Sequence, residues 1–356
     1  MSDEPLAELR APADMVPLDW DAVRAHLAAN GMRLDANPPP GQFRGGLANL
    51  NYLIHVDGKP VVLRRPPPGE LPAGAYDMGR EHRILSRLAD ALAFIPRGLL
   101  LCEDRAVIGI PFQLIEFRKG LTIRATVPEP FSGRSEAGAR LSEVLLSTMA
   151  AVHAVDPNRV GLGDLGRPQG FIGRAVTGWQ KRGAAVQDAV SAPLIAEIGQ
   201  WLEANQVPDG PPALLHNDFK LDNMILDPRD LSAVGVVDWD QGTRGDPLFD
   251  LGTTISYWTE PGDPPALHEM GQLPTTEPGF LTRKEAVLRY GELSGRDVSD
   301  FRFHRALGMF KTCVIFLQLG HRYRTGATKE ARYASLTPMA NGLLEFTLDI
   351  IRDRAF

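Results

Sequence analysis

The apolar residues of this chain change period near residue 120, from two to about 3.6, and that change excludes most folds built from one kind of element. Asn49 to Val56 and Pro60 to Arg65 read as strands, and the Asp57-Gly58 between them favours a tight hairpin turn. Further strand pieces are expected at Leu99–Leu101, Val107–Ile110 and Phe112–Phe117, with a helix from about Asp77 to Ala93 set among them. A short helix before them carries Trp20, Val23 and Leu27 on one side and is capped by Asp19 or Asp21. From about residue 137, Leu141, Val144, Leu145, Thr148, Met149 and Val152 recur at helical spacing. Helices dominate again from Pro247 onward. The expectation is an α+β chain with an extension over 1–19, a β-rich part over 20–120 holding one key helix, and a mostly helical part over 121–356.

At 356 residues the chain can bury a large core. Its formal net charge of -6 argues against a dedicated nucleic-acid binder, which normally presents a basic face. The only cysteines, Cys102 and Cys313, suggest neither a disulfide framework nor a thiolate metal site. The N-terminus lacks the basic start and apolar run of a secretory signal, and no apolar run approaches the ~18 residues of a membrane span. A cytoplasmic protein with neither nucleic acid nor membrane as partner is expected. The oligomeric state is left open.

The chemistry concentrates in His216-Asn217-Asp218-Phe219-Lys220-Leu221-Asp222-Asn223, a His-x-Asp followed by four residues and Asn. In kinase-type phosphoryl transfer such an Asp takes the proton of the acceptor hydroxyl, and the later Asn reaches a magnesium ion. Met224-Ile225-Leu226, a turn at Asp227 to Asp230, and Ala233 to Val237 then read as a hairpin. Its second strand ends at Asp238 and so returns that carboxylate toward Asn223, giving two oxygen ligands for one hard cation. Asp and Asn in loops are usually turn formers. The reading rests on Asp218, Asn223, the hairpin and Asp238 together.

With Asp238-Trp239-Asp240, Gly245-Asp246-Pro247 and Asp250 added, the sequence resembles the aminoglycoside phosphotransferase-like family. The closest likeness is to the branch resembling the N-terminal kinase-like domain of some acyl-CoA dehydrogenases, and it covers roughly residues 20–330. The resemblance implies a bilobal protein-kinase-like fold, ATP or GTP as donor, Mg2+, and a small-molecule hydroxyl as acceptor. It implies Asp218 as the catalytic base, Asn223 and Asp238 as metal ligands, and His216 and Asp250 as braces of the catalytic loop. Gly45 and Gly46 stand where the family's phosphate-covering turn lies. The backbone around Glu116 and Phe117, with Ile225, would meet the adenine.

Arg64 occupies the place of the strand lysine that contacts ATP phosphates, and Glu81 is its implied partner. Two plainer readings stay open: Arg64 as an exposed edge-strand charge, and Glu81 at the solvent edge of its helix. Arg65, on the opposite strand face, suits exposure better. Asp246-Pro247 reads as a helix start. The acceptor pocket is expected from segments near 171–183 and 253–325, where Trp179, Tyr257, Trp258 and Tyr323 are candidates for pocket or core.

Two other functions compete: a nucleotide-binding pseudoenzyme serving as a regulatory module, and an aminoglycoside-type antibiotic kinase. Gly161 to Gly166 matches G-x-G-x-x-G, but Pro157 before it and Pro168 after it suit a turn between helices rather than a dinucleotide site. His153 reads as a capping or core residue, and the apolar helix over 305–319 as core.

Overall fold

The computed structural model describes residues 9–44, 49–68 and 76–356. Gly45 and Gly46 lie outside the described residues. In chain order, α1 (Trp20–Ala29) is capped by Asp19, whose side chain accepts from the Ala22 amide. β1 (Gly41–Gln42), β2 (Leu50–Val56) and β3 (Lys59–Arg65) follow, then α2 (Met78–Leu88), β4 (Gly98–Cys102), α3 (Arg105–Ile108) and β5 (Phe112–Glu116). Next come α4 (Ser135–His153), α5 (Phe171–Ala184), α6 (Ser191–Ala204), β6 (Ala213–Leu215), β7 (Met224–Leu226), β8 (Ala233–Val236) and β9 (Thr243–Gly245). The C-terminal run is α7 (Pro247–Ser256), α8 (Pro265–Met270), α9 (Arg283–Ser294), α10 (Arg302–Arg324) and α11 (Leu336–Ile351).

The chain divides into two compact units. The first holds residues 1–122, 160–162 and 223–242; the second holds 123–159, 163–222 and 243–356. The motif from His216 to Asn223 is therefore shared out, with Asn223 in the first unit and the rest in the second.

The first unit is organised by a five-stranded sheet of order β1-β2-β3-β5-β4, antiparallel throughout. Asp57 and Gly58 both take positive φ, 50° and 76°, as the two-residue turn between β2 and β3 requires. The pleat sends Tyr52, Ile54 and Val56 from β2 into one core with Leu63, Phe112 and Leu114, closed by Val23 and Leu27 of α1. β3 lies at the centre of the sheet, so Arg64 is not an edge-strand charge. Arg65 is buried as well, contrary to the exposed role expected for it. Centrality covers only the edges of a strand, and Arg64 owes its cover to the side chains it meets on its own face, Glu81 among them.

Two further expectations are corrected in this unit. Val107–Ile110 is no strand: Asp104 caps the helical turn α3, its carboxylate accepting from the Ala106 amide, and Gly109 ends it in the left-handed region. The helix expected to reach Ala93 stops at Leu88. The smaller hairpin β7–β8 also belongs to this unit and is tied back by paired bonds of 2.8 Å between Leu226 and Leu121.

The second unit is helical apart from the short pair β6–β9. Its longest helix, α10, carries a buried face with Leu307, Phe310, Val314 and Leu317. α7 begins as the Asp246-Pro247 pair predicts, with the Asp246 carboxylate accepting from the Leu248 amide at 2.9 Å. Among the described residues, no helix is long and apolar enough to cross a membrane.

Candidate active site

The nucleotide side of the expected site lies in the first unit. Arg64 and Glu81 form a buried ion pair, with Arg64 Nε donating to Glu81 Oε2 at 2.8 Å. Glu81 is 0% exposed, which removes the solvent-edge alternative. Its other donors are Gln113 Nε2 at 2.7 Å and the backbone amide of Trp239 at 3.0 Å. Burial raises the Glu81 pKa above the ordinary carboxylate value against the pull of Arg64. Three donors converge on its two oxygens, so the ionised form is the one this environment accommodates.

Arg64 also reaches Asp238, donating from Nη2 to Oδ1. Burial works against its charge, but Asp238, Glu81 and Asp240 outweigh that and raise the guanidinium pKa. Asp238 sits just past β8 with a φ of 70°, a left-handed conformation that turns the chain into the following short helical turn. The Val237 amide donates to the Asn223 carbonyl at 2.9 Å. The β7–β8 pairing thus sets Asn223 beside the residue preceding Asp238, as the hairpin length predicts.

A carboxamide and a carboxylate with Asp238 31% exposed at its side chain are a hard-oxygen set that suits a divalent cation sharing phosphate and water.

Ile225 lies on β7, and Gly120 packs against it so closely that a Cβ there would stand 2.6 Å from the Ile225 Cγ2 and 2.5 Å from the Leu226 carbonyl. Only glycine fits this approach. Phe117 stacks on Phe43 with rings nearly parallel, 6.4 Å between centroids. The Glu116 amide donates to the Arg97 carbonyl at 2.8 Å and is therefore committed to the sheet.

The second unit presents Asp218. Helix α7 braces the loop that carries it through residues spaced at i, i+4 and i+7, which share one helix face. Asp250 accepts from the His216 amide at 2.7 Å and the Asn217 amide at 2.8 Å. Thr254 Oγ1 donates to the Phe219 carbonyl at 2.7 Å, and Tyr257, the C-cap residue, donates its hydroxyl to Asp218 Oδ1 at 3.0 Å. Lys220 Nζ pairs with Asp218 Oδ2 at 3.2 Å and lies over the Tyr257 ring. His216 is fully buried, and its Nδ1 accepts from the Asp218 amide at 3.3 Å.

Charge around Asp218 follows from these contacts. Burial pushes its pKa up, but Lys220, Lys311 and His216 outweigh burial and the net shift is downward. Tyr257 is pushed up by burial and by Asp218, so its hydroxyl stays a donor. The Lys220 pKa is raised, because Asp218 and Asp222 together exceed the penalty of burial. Asp222 is raised by burial despite Lys220, and Arg124 pairs with it at 3.1 Å.

Several of these residues escaped the sequence reading. Lys311, inside the apolar stretch of α10, donates to the Asn217 carbonyl and to Thr253 Oγ1. Burial lowers its pKa to about 8, against Asp218 and Asp250. A lysine inside an apolar helical run was the available signal, since a buried ammonium needs partners. His153 is a buried core residue, one of the two expected readings, with both ring nitrogens partnered: its Nε2 meets Asp250 at 3.2 Å and its Nδ1 meets the Tyr290 hydroxyl at 2.7 Å. Of the aromatic candidates, Tyr257 faces Asp218 and Trp258 is core, its indole donating to the Leu281 carbonyl. Trp179 carries Arg182 over its ring, and Tyr323 is half-buried on α10.

An ionised carboxylate on a braced loop, a buried strand–helix ion pair and a hairpin ending in a second carboxylate are the parts of a kinase-type phosphotransferase. The model of the phosphotransferase enzyme family matches residues 41–284, and the chain belongs to that family. Among curated proteins, acyl-CoA dehydrogenase family member 11 of Gallus gallus is 30% identical over 88% of this chain and 40% of its own length. The chain spans less than half the length of the curated relatives it matches. A Ralstonia eutropha crystal structure, provisionally assigned as an aminoglycoside phosphotransferase, aligns over 94% of this chain and 99% of its own, with TM-score 0.74 and 24% identity. A thermostable mutant of aminoglycoside phosphotransferase APH(4)-Ia, in ternary complex with AMP-PNP and hygromycin B, aligns over 93% and 98% with TM-score 0.59 and 17% identity. These likenesses establish the aminoglycoside phosphotransferase-like fold.

Proposed function

We propose that the chain transfers the γ-phosphate of ATP to a hydroxyl of a small molecule in a magnesium-dependent reaction. The observation that carries this reading is Asp218: a carboxylate held ionised, 18% exposed, on a loop fixed from behind by Asp250 and Thr254. A carboxylate that is ionised at neutral pH can accept a hydrogen bond from a hydroxyl and take its proton as the bond to phosphorus forms, and a braced loop keeps it in register with its acceptor.

In this reading Asp218 orients the acceptor hydroxyl and takes its proton. Arg64, held by Glu81, lies against phosphate oxygens and offsets their charge. Asn223 and Asp238 hold the magnesium ion, which supplies further neutralisation of phosphate charge. Ile225 and the backbone around Glu116 and Phe117 lie along the purine in this reading. GTP is the alternative donor. The acceptor class that the relatives favour is a hydroxylated metabolite of acyl or acyl-CoA type, because they are named as acyl-CoA dehydrogenases. Nucleic acid and membrane have no part in it.

The test is a thermal-shift series with ATP, GTP and magnesium, run beside Asp238→Ala, followed by an acceptor screen scored by ADP release. A magnesium-dependent rise in melting temperature that the variant loses supports the reading. No rise with either nucleotide at millimolar concentration sinks it.

A further inference from the structure

Arg64 addresses three acceptors at once. Nε donates to Glu81 Oε2 at 2.8 Å, Nη1 to Asn51 Oδ1 at 3.3 Å, and Nη2 to Asp238 Oδ1. A guanidinium manages this because its donors are spread over a planar fork, whereas an ammonium is one point of charge at the end of a flexible stem. The Glu81 side of the fork is anchored: Glu81 is 0% exposed and carries two further donors. The Asp238 side is the open one, with that side chain 31% exposed. One arm of a fixed arginine is therefore shared between a carboxylate suited to a cation and any phosphate that approaches it.

Resting on the phosphotransferase reading, the geometry points to Arg64 as a coupling residue that makes cation and phosphate bind together rather than separately. Asp238 and a phosphate oxygen compete for the same Nη2 arm. A cation that engages Asp238 releases the arm to phosphate, and a phosphate that takes the arm leaves Asp238 to the cation. Linkage makes the two effects equal in size. Because an arginine does not lose its proton at accessible pH, the lock opens only by exchange of partners.

This gives a prediction opposite to the usual effect of losing a metal ligand. Asp238→Asn weakens nucleotide binding when metal is present, yet strengthens it when metal is absent. The probe is ADP in EDTA, titrated calorimetrically into the wild-type chain, Asp238→Asn, Asp240→Asn and the Arg64→Lys and Arg64→Lys/Asp238→Asn pair. Asp240 acts on the Arg64 charge and accepts from Asn49 Nδ2 at 3.4 Å, so its replacement controls for plain loss of a negative charge.

The expected result is ADP binding about tenfold tighter in Asp238→Asn, within the usual range of coupling factors. Asp240→Asn should change it by less than about twofold, and in the Arg64→Lys background the Asp238→Asn gain should disappear. With Mn2+ added, Asp238→Asn should bind ADP more weakly than wild type. Equal gains in Asp238→Asn and Asp240→Asn, or no gain in the first, overturn the coupling while leaving the nucleotide site intact. If Arg64→Lys does not fold, the comparison of Asp238→Asn with Asp240→Asn decides alone, since both positions are partly exposed. Failure of every protein to bind ADP, with or without Mn2+, overturns the nucleotide reading and the coupling with it.

Discussion

Glu81 and Asp218 are carboxylates with little access to water, and their surroundings suit them to different work. Glu81 is sealed among three donors and has no path to solvent. Glu81→Ala leaves Arg64 with its buried fork short of an anion, and loss of one partner of a buried pair costs about 3–5 kcal/mol. A clear fall in the urea midpoint is expected, and a midpoint within error of wild type would contradict the pairing. Asp218 instead keeps an open side. Asp218→Asn should lower phosphoryl transfer by about 10²–10⁴-fold, the usual share of a general base, with the nucleotide dissociation constant unchanged. Single-turnover rates and nucleotide titration, measured together, separate the two effects.

Asp250 adds a pH dependence at this scale. Burial raises its pKa, but His153 and His216, with the backbone amide of His216, outweigh burial and lower it below the ordinary 3.8. A depressed folded-state pKa gives stability that is present above the unfolded value and lost as pH falls through the folded one. The stability of the wild-type chain should therefore decline from pH 3.8 downward in part through Asp250. Asp250→Asn should be less stable at neutral pH and lose that share of the slope. Denaturant titrations across the acid range measure both.

At the scale of elements, α7 is the part that turns sequence into site geometry. Asp250, Thr254 and Tyr257 work as one face only if the helix is held at a fixed rotation. That rotation is set by a close crossing of α7 and α10, where a Cβ on Gly308 would meet the Gly252 carbonyl carbon and oxygen at 2.3 Å. Backbones can approach so far only when both residues lack a side chain. Gly308→Ala should cost about 1–3 kcal/mol through overpacking and should lower turnover more than nucleotide affinity, because α7 braces Asp218 and not the first unit's residues. Equal turnover in a destabilised Gly308→Ala protein would mean that the helix face does not control the loop.

At the scale of the whole molecule, each unit has its own core, and the matched family region runs from residue 41 to 284. The chain spans less than half the length of its curated relatives, and Arg64, Glu81, Asp218, Asn223 and Asp238 all lie inside the matched region. The chain expressed alone should therefore bind nucleotide and magnesium. At a ligand concentration of 100 times the dissociation constant, binding to the folded state adds about 2.7 kcal/mol. That gain should appear with magnesium and vanish on chelation.

The sequence by itself determined the α+β order, the hairpin turn at Asp57-Gly58, the start of α7 at Asp246-Pro247 and the loop from His216 to Asn223. These are local matters: turn chemistry, capping and residue spacing act over a few neighbours and so can be read from a single stretch of chain. Only the tertiary structure decided that Arg64 and Arg65 lie on a central strand, that Arg64 reaches Asp238 as well as Glu81, that Lys311 bonds the loop carrying Asp218, and that His153 meets Asp250. It also turned Val107–Ile108 into part of a helical turn and bound the Glu116 amide into the sheet. Those outcomes depend on partners tens to hundreds of residues away, such as Asp238 for Arg64. Periodicity records that a side chain is buried, but not which distant group it is buried against.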